Sequence, residues 1–212
     1  MTRVLVLGAN GKIARRATQI YLDSTNDSLR LFLRRPERLR DIDNKLVEVV
    51  GGDTTDTEKL VASMKDVDVV YANLAGGNIE DQARSVVEAM HSAGVKRLIW
   101  ISTLGIYDEV PGKFGEWNNS TLGSYITTYA AAAKVIEDSD LEYTIVRPAW
   151  LTDKDEVDYE TTQKGEAFKG TEVSRKSVAQ LVVDITQAPD KFNRESIGVD
   201  KAGTDGDKPA WY

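Results

Sequence analysis

Gly8, Gly11 and Ala14 stand near the start of the chain in the spacing of a phosphate cradle. They follow Arg3-Val4-Leu5-Val6-Leu7, an apolar strand, and open a helical segment through Lys12 and Ile13. Gly8 takes the tight turn off the strand, Gly11 presents no Cβ to a pyrophosphate, and Ala14 lets the helix sit close to the sheet. Free N–H groups and the positive end of the helix dipole then face the anion, with Asn10 and Lys12 beside it. Such a turn also serves as a plain strand-to-helix connector, so the next strand matters. Leu29-Arg30-Leu31-Phe32-Leu33 runs into Arg34-Arg35-Pro36 with no acid at its tip. An Asp or Glu there would hold a ribose 2′-hydroxyl, whereas an arginine accommodates a 2′-phosphate through paired, charge-assisted hydrogen bonds. The competing reading of Arg34 and Arg35 is a solvated basic loop. The expected cofactor is NADP, with NAD less favoured.

The elements that must position these residues alternate along most of the chain. Strands are expected at Leu46–Val50, Val67–Asn73, Arg97–Ser102 and Tyr143–Pro148, with helices over about 57–64, 80–93 and 124–138 between them. Near-continuous apolar strands separated by helices imply a parallel sheet covered on both faces, a doubly wound, Rossmann-like α/β fold. In such folds ligands gather outside the carboxyl ends of the strands, where Asn10, Arg34, Asp53, Asn73, Ser102 and Arg147 fall. Past Trp150 the pattern loosens to a strand and turn within 156–168, a helix over 177–186 and a short strand at 196–199. Residues 1–200 are expected to form one domain with a small C-terminal cap, and 201–212, rich in Gly and Asp, an extended or mobile tail.

Composition narrows the function classes. The 212 residues suffice for one domain with a sizeable core. A net charge of −7 argues against a nucleic-acid surface, so phosphate binding must be local. The chain has no cysteine, which removes disulfides, thiol nucleophiles and cysteine metal sites together and fits a cytoplasmic location. The first strand begins by residue 3, leaving no room for a signal peptide, and no apolar run is long enough to span a bilayer. The single histidine, His91, sits at a helix end and cannot anchor a histidine metal centre. The expected partner is a small molecule, with the protein a monomer or homodimer.

Taken in order, Gly8-Ala9-Asn10-Gly11-Lys12-Ile13-Ala14, Arg34-Arg35-Pro36, Gly52-Asp53-Thr54, Ala72-Asn73-Leu74-Ala75-Gly76, Ile101-Ser102-Thr103-Leu104-Gly105 and Thr144-Ile145-Val146-Arg147-Pro148-Ala149-Trp150-Leu151 resemble the atypical short-chain dehydrogenase/reductase superfamily. The likeness is to its small NAD(P)H-binding group, which includes flavin- and biliverdin-reductase-like proteins and relatives of the nitrogen-metabolite-repression regulator. It covers Arg3 to about Thr186. The resemblance implies that Asp53, with Thr54, meets the adenine edge, and that Leu74, Ala75 and Gly76 pass the adenosine ribose and phosphates. It also implies that Pro148, Ala149, Trp150 and Leu151 run past the nicotinamide. Asp53 has an alternative role in its own Asx turn.

The catalytic set departs from that pattern. Members of the superfamily use Ser with a Tyr-x-x-x-Lys pair on one helix. Here Ala130 stands four residues before Lys134, and Tyr129, five before it, projects about 140° away around a helix. Tyr125 lies nine residues back. The remaining candidates are Ser102 and Thr103, to orient an acceptor, and Lys134, to hold the ribose; a Ser-Thr turn and a solvated helix face are the alternatives. Tyr107, Phe114, Trp117 and Trp150 are the expected substrate contacts, the first three on a loop after the fifth strand. They can stack on a planar ligand, pack the loop or meet a partner subunit. These features favour an NADP-dependent oxidoreductase that transfers hydride to a small planar or carbonyl acceptor of flavin, quinone or aldehyde type. A non-catalytic NADP sensor is the alternative, and an NAD-dependent epimerase or dehydratase acting on sugar nucleotides ranks third.

Overall fold

Strand β1 (Arg3–Leu7) sends Val4 and Val6 to one face of the sheet and Leu5 and Leu7 to the other, and all four are buried. The alternation of a strand therefore carries apolar groups on both sides, as a sheet covered by helices on each face requires. The computed structural model describes residues 1–212. Its other strands are β2 (Ser28–Leu33), β3 (Val47–Gly51), β4 (Val69–Ala72), β5 (Arg97–Ile101), β6 (Glu142–Pro148), β7 (Trp150–Thr152), β8 (Glu160–Gln163), β9 (Glu172–Ser174) and β10 (Glu195–Asp200). Eight of the ten strands form one sheet in the order β3-β2-β1-β4-β5-β6-β10-β8, and every neighbouring pair is parallel except β10 and β8. β7 and β9 make a separate parallel pair.

Helices α1 (Lys12–Ser24) and α6 (Arg175–Gln187) bury Ala14, Ala17, Tyr21, Val178, Leu181 and Val182 against the first face. On the second face, α2 (Thr57–Ser63), α3 (Ile79–Ala93) and α5 (Ser124–Glu137) bury Leu60, Ala83, Val86, Ala132, Ala133 and Ile136. Local signals place the ends. Asp56 caps α2 by accepting from the Lys59 N–H at 3.0 Å, and Gly94 ends α3 in the left-handed region at φ +73°. The chain crosses from one half of the sheet to the other between β3 and β4, so β1 and β4 flank the switch point and a crevice opens beyond their carboxyl ends.

Two expectations change. Residues 112–122 form a helix, α4 (Gly112–Leu122), whose first part falls in the 104–117 segment expected to be a loop; it buries only Phe114, Gly115 and Asn118, a stripe too narrow to give an apolar period. The 201–212 segment is docked. The Thr171 hydroxyl donates to the Thr204 carbonyl at 2.6 Å, and the Tyr212 ring lies 4.9 Å from that of Trp117 and 5.2 Å from that of Trp150. No helix is long and apolar enough to cross a membrane.

Candidate functional site

At the switch point the β1–α1 turn is built against Asn73. Gly8 has φ +73°, and a Cβ on it would collide with the Asn73 backbone carbonyl; a Cβ on Gly11 would collide with the Asn73 side-chain amide. Gly8 is thus needed by the fold itself, whereas at Gly11 the neighbour is the end of a side chain that can shift. Gly11 caps α1 without a side-chain hydrogen bond, and the first turn carries no acid, so its outward N–H groups and dipole are left for an anion. Ile13 turns into the core. Asn10 lines the crevice and accepts from Arg15 Nε at 3.2 Å. Lys12 was expected to help hold the phosphates. Its ammonium is turned to Asp153 at 3.0 Å, and Arg16 and Arg175 converge on the same carboxylate at 3.5 and 3.1 Å. The Lys12 hydrogen bond leads in holding the Asp153 carboxyl below its ordinary range.

The crevice has a volume of about 570 Å³ and runs from this turn to the tips of β2 and β3. Arg34 and Arg35 line it, exposed and in no ion pair, and Arg38 joins them from a 3₁₀ turn at Pro36–Leu39. Asp53 lines it too. Its Oδ1 accepts from the Thr55 N–H at 3.0 Å and the Thr55 hydroxyl at 2.9 Å, which is the Asx turn, leaving Oδ2 uncommitted. Those bonds, and the nearby Arg34 charge to a lesser degree, keep the carboxyl below its usual pKa. Thr54 is spent within the fold, donating to Gln82 Oε1 at 2.8 Å. Gln82 in turn donates to the Ala75 carbonyl at 3.2 Å and to Asn78 Oδ1 at 2.9 Å, and so fixes the Leu74-Ala75-Gly76 turn from below. Sequence reasoning missed Gln82 and Arg38. The signal for Gln82 was a polar residue on the apolar stripe of α3, between Ile79 and Val86.

The acceptor end is assembled differently. Ser102 follows β5, donates its N–H to the Val146 carbonyl at 2.7 Å, and keeps its hydroxyl buried without a partner. That hydroxyl makes no Ser-Thr turn. Thr103 beside it is half-buried. Lys134, expected to hold the ribose, is not among the residues that line the crevice. The buried face of α5 carries Tyr129, Ala132, Ala133 and Ile136, and Lys134, about 140° round the helix from Tyr129, is exposed and paired with Asp138 at 2.8 Å. Tyr129 instead turns inward beside Gly76. It stacks on Tyr125 at 4.0 Å in an i,i+4 arrangement, and its hydroxyl is buried without a partner. Burial drives its pKa far above the ordinary range.

Tyr107 was expected to contact the substrate. Its hydroxyl is committed to Glu137 Oε1 at 2.7 Å, its ring sits under Lys164 at 4.2 Å, and Arg147 lies 5.2 Å from its centroid. Arg147 is fully buried in an ion pair with Glu109 and donates to Ser196 Oγ at 3.1 Å. Glu109 meanwhile accepts from the Gly105 and Tyr107 N–H groups, both at 3.0 Å, so this pair clamps the turn after β5 onto β6 and β10. Phe114 is buried in the core rather than open to a ligand. Trp117 and Trp150 stay half-buried, with centroids 4.8 Å apart. Pro148 and Ala149 are buried at the end of β6, and the Leu151 carbonyl accepts from Arg175 at 3.2 Å.

A glycine turn with no room for side chains, an uncapped helix start and unpaired arginines across one crevice fit a phosphate-bearing dinucleotide. The sequence profile of a family described as NAD(P)H-binding matches residues 8–189. The chain belongs to that family. A Rossmann-fold NAD(P)-binding family protein from Shigella flexneri is 42% identical, with a TM-score of 0.86 over 99% of this chain and 98% of that one. A wide-type short-chain dehydrogenase/reductase from Veillonella parvula, solved in complex with NADP, is 32% identical, with a TM-score of 0.93 over 99% of each chain. An uncharacterized sugar epimerase from Bacillus subtilis, YhfK, is 28% identical over 98% of this chain and 96% of its own. The protein is an atypical short-chain dehydrogenase/reductase-like, NAD(P)-binding α/β protein with an oxidoreductase-like fold.

Proposed function

We propose that the chain is an NADP-dependent oxidoreductase that reduces a small planar or carbonyl acceptor of flavin, quinone or aldehyde type. The observation that carries the cofactor choice is the exposed, unpaired pair Arg34 and Arg35 on the same crevice as the glycine turn. A guanidinium free of carboxylates is ready for a 2′-phosphate, and no acid stands at the β2 tip to hold a bare ribose hydroxyl. In this reading the α1 N–H groups hold the pyrophosphate and Asp53 Oδ2 accepts from the adenine amine. Ser102 Oγ donates to the acceptor carbonyl. Bound NADPH supplies two electrons as hydride, and solvent supplies the proton that completes the reduced acceptor.

A second reading, a non-catalytic NADP sensor, is favoured by the outward position of Lys134, which leaves the tyrosine pair on α5 without an adjacent lysine. Anaerobic NADPH oxidation across flavins, quinones and aldehydes, run beside a cofactor titration, separates the two. Turnover with any of these supports the oxidoreductase, and binding without turnover supports the sensor. The epimerase chemistry in the name of the Bacillus relative normally relies on a Tyr-Lys pair, which this helix does not offer.

A further inference from the structure

The last residue of the chain sits inside the acceptor end. Trp117 from α4, Trp150 from β7 and Tyr212 close a triangle of rings, with interplanar angles of 52°, 68° and 78° and no parallel stack among them. Within the triangle no ring lies flat on another; Trp117 stacks on Phe114 outside it, at 6.1 Å and 17°, so a planar ligand would add a flat partner that the triangle itself lacks. β7 ends near the start of α1, because Asp153 just beyond it takes the Lys12 ammonium.

Beneath the triangle lies Asn118, fully buried. The Trp150 indole N–H donates to Asn118 Oδ1 at 3.0 Å. An indole nitrogen can only donate, so this bond fixes which way the amide faces. Nδ2 is left buried with no acceptor, beside the turn that follows Ser102; a Cβ on Gly105 would lie 2.9 Å from it. Asn118 Nδ2 and Ser102 Oγ are thus two sealed donors, both without acceptors, around one turn. Buried polar groups are normally satisfied, so each of these two keeps a hydrogen-bonding capacity that the protein itself does not use.

The cover over them is held unevenly. Thr204 is pinned by Thr171, whose N–H and hydroxyl both bond to it. Beyond Thr204 the polar ties are slight: an exposed Lys113–Asp207 pair at 3.4 Å and the Ala210 N–H on Glu172 Oε2 at 3.4 Å. Tyr212 itself is 54% exposed.

We propose that Tyr212 is a displaceable stand-in for a substrate ring. Trp117 and Trp150 are the walls of a site for a planar aromatic molecule bearing a ring carbonyl, Asn118 Nδ2 is a donor to that carbonyl, and the tail from about residue 205 swings out to admit it. This rests on the oxidoreductase reading only in naming the ligand as the electron acceptor; the binding site stands without it.

The test is calorimetric titration of riboflavin and of menadione, without NADPH, into wild type, Tyr212→Ala, a chain ending at Gly206, and Asn118→Leu. Removing the competing ring should tighten binding of at least one of the two probes severalfold in both Tyr212→Ala and the shortened chain, with NADPH affinity unchanged. Asn118→Leu should weaken binding of the same probe; should that variant lose its circular dichroism signal, Trp150→Phe, which keeps a ring and releases Oδ1, serves in its place with the same expected loss. Weaker or unchanged binding in both tail variants overturns the proposal, as does the absence of binding in all of them. Binding that responds as expected with no NADPH turnover upholds the site and removes the oxidoreductase reading.

Discussion

The nucleotide crevice draws its lining from short stretches within residues 8–82, and most of its polar groups already have their places. The acceptor end takes its groups from β5, α4, β7 and the final residue of the chain, and it buries Ser102 Oγ and Asn118 Nδ2 without partners. One region is open and organised around turns, the other closed and organised around aromatic packing. The difference teaches that a crevice for a common cofactor can be built from backbone and turn chemistry, whereas the aromatic region depends on contacts between distant parts of the chain.

The largest expected effect breaks the crevice. Gly11→Val should abolish NADPH binding while circular dichroism still reports a folded sheet. Because a Cβ there also meets the Asn73 amide, the double variant Gly11→Val/Asn73→Ala separates the two causes. Binding that returns in the double variant would mean that the side chain, and not access for a phosphate, sets the need for glycine.

Next comes the cofactor choice. Arg34→Ala and Arg35→Ala should each weaken NADPH binding by about 1.5–3 kcal/mol, the worth of a charge-assisted hydrogen bond, with NADH barely affected. Raised salt should shrink the wild-type preference, since the contact is exposed. Equal losses for both nucleotides in competition titrations would remove the 2′-phosphate assignment.

The acceptor end is probed by Ser102→Ala. Turnover should fall on the order of tenfold or more, NADPH affinity should hold, and thermal stability should not drop, because the lost hydroxyl has no partner to leave behind. A clear drop in melting temperature with unchanged turnover would make Ser102 a packing residue.

A smaller effect concerns pH. Burial pushes the Asp200 carboxyl up to about 6, against a Gly170 N–H that lowers it and nearby Glu160 and Asp205 that raise it further. The unfolded chain loses this proton near its ordinary value of about 3.9. Between the two values the folded state holds more protons, so this contribution is fully present below about pH 4 and is lost as pH rises through 6. Asp200→Asn should therefore raise the melting temperature at pH 7.5 relative to wild type and do so less at pH 4.5. The smallest effect is expected from Lys134→Met. An exposed i,i+4 pair contributes about 0.3–0.5 kcal/mol, and neither NADPH affinity nor turnover should move. A loss of either would return Lys134 to the site.

The residues legible in the sequence share one property: their roles follow from neighbours a few positions away. The β1–α1 turn, the arginines at the β2 tip and the Asx turn at Asp53 were all readable because glycine conformation, strand ends and side chain-to-backbone bonds are local. So were the parallel strands, whose apolar runs required helices on both faces. Lys134 was expected at the ribose and stands off the crevice lining. The angle between Tyr129 and Lys134 was correctly read, but which of the two faced inward depended on the packing of α5 against α3. Tyr107 and Phe114 were expected to contact a ligand; the structure gives the Tyr107 hydroxyl to Glu137 and Phe114 to the core, and neither set of partners adjoins them in sequence.

The amino-acid order alone determined the doubly wound sheet, the phosphate turn and the basic tip of β2, since each rests on backbone geometry and on periods of two or a few residues. Only the tertiary structure decided that Gln82 props the Ala75 turn, that Asn118 faces Ser102's turn with a free amide, and that Tyr212 closes over Trp117 and Trp150. Those are contacts between residues up to 95 positions apart, from Trp117 to Tyr212. Their partners are chosen by which surfaces remain to be buried once the sheet has formed, and no local pattern records that choice.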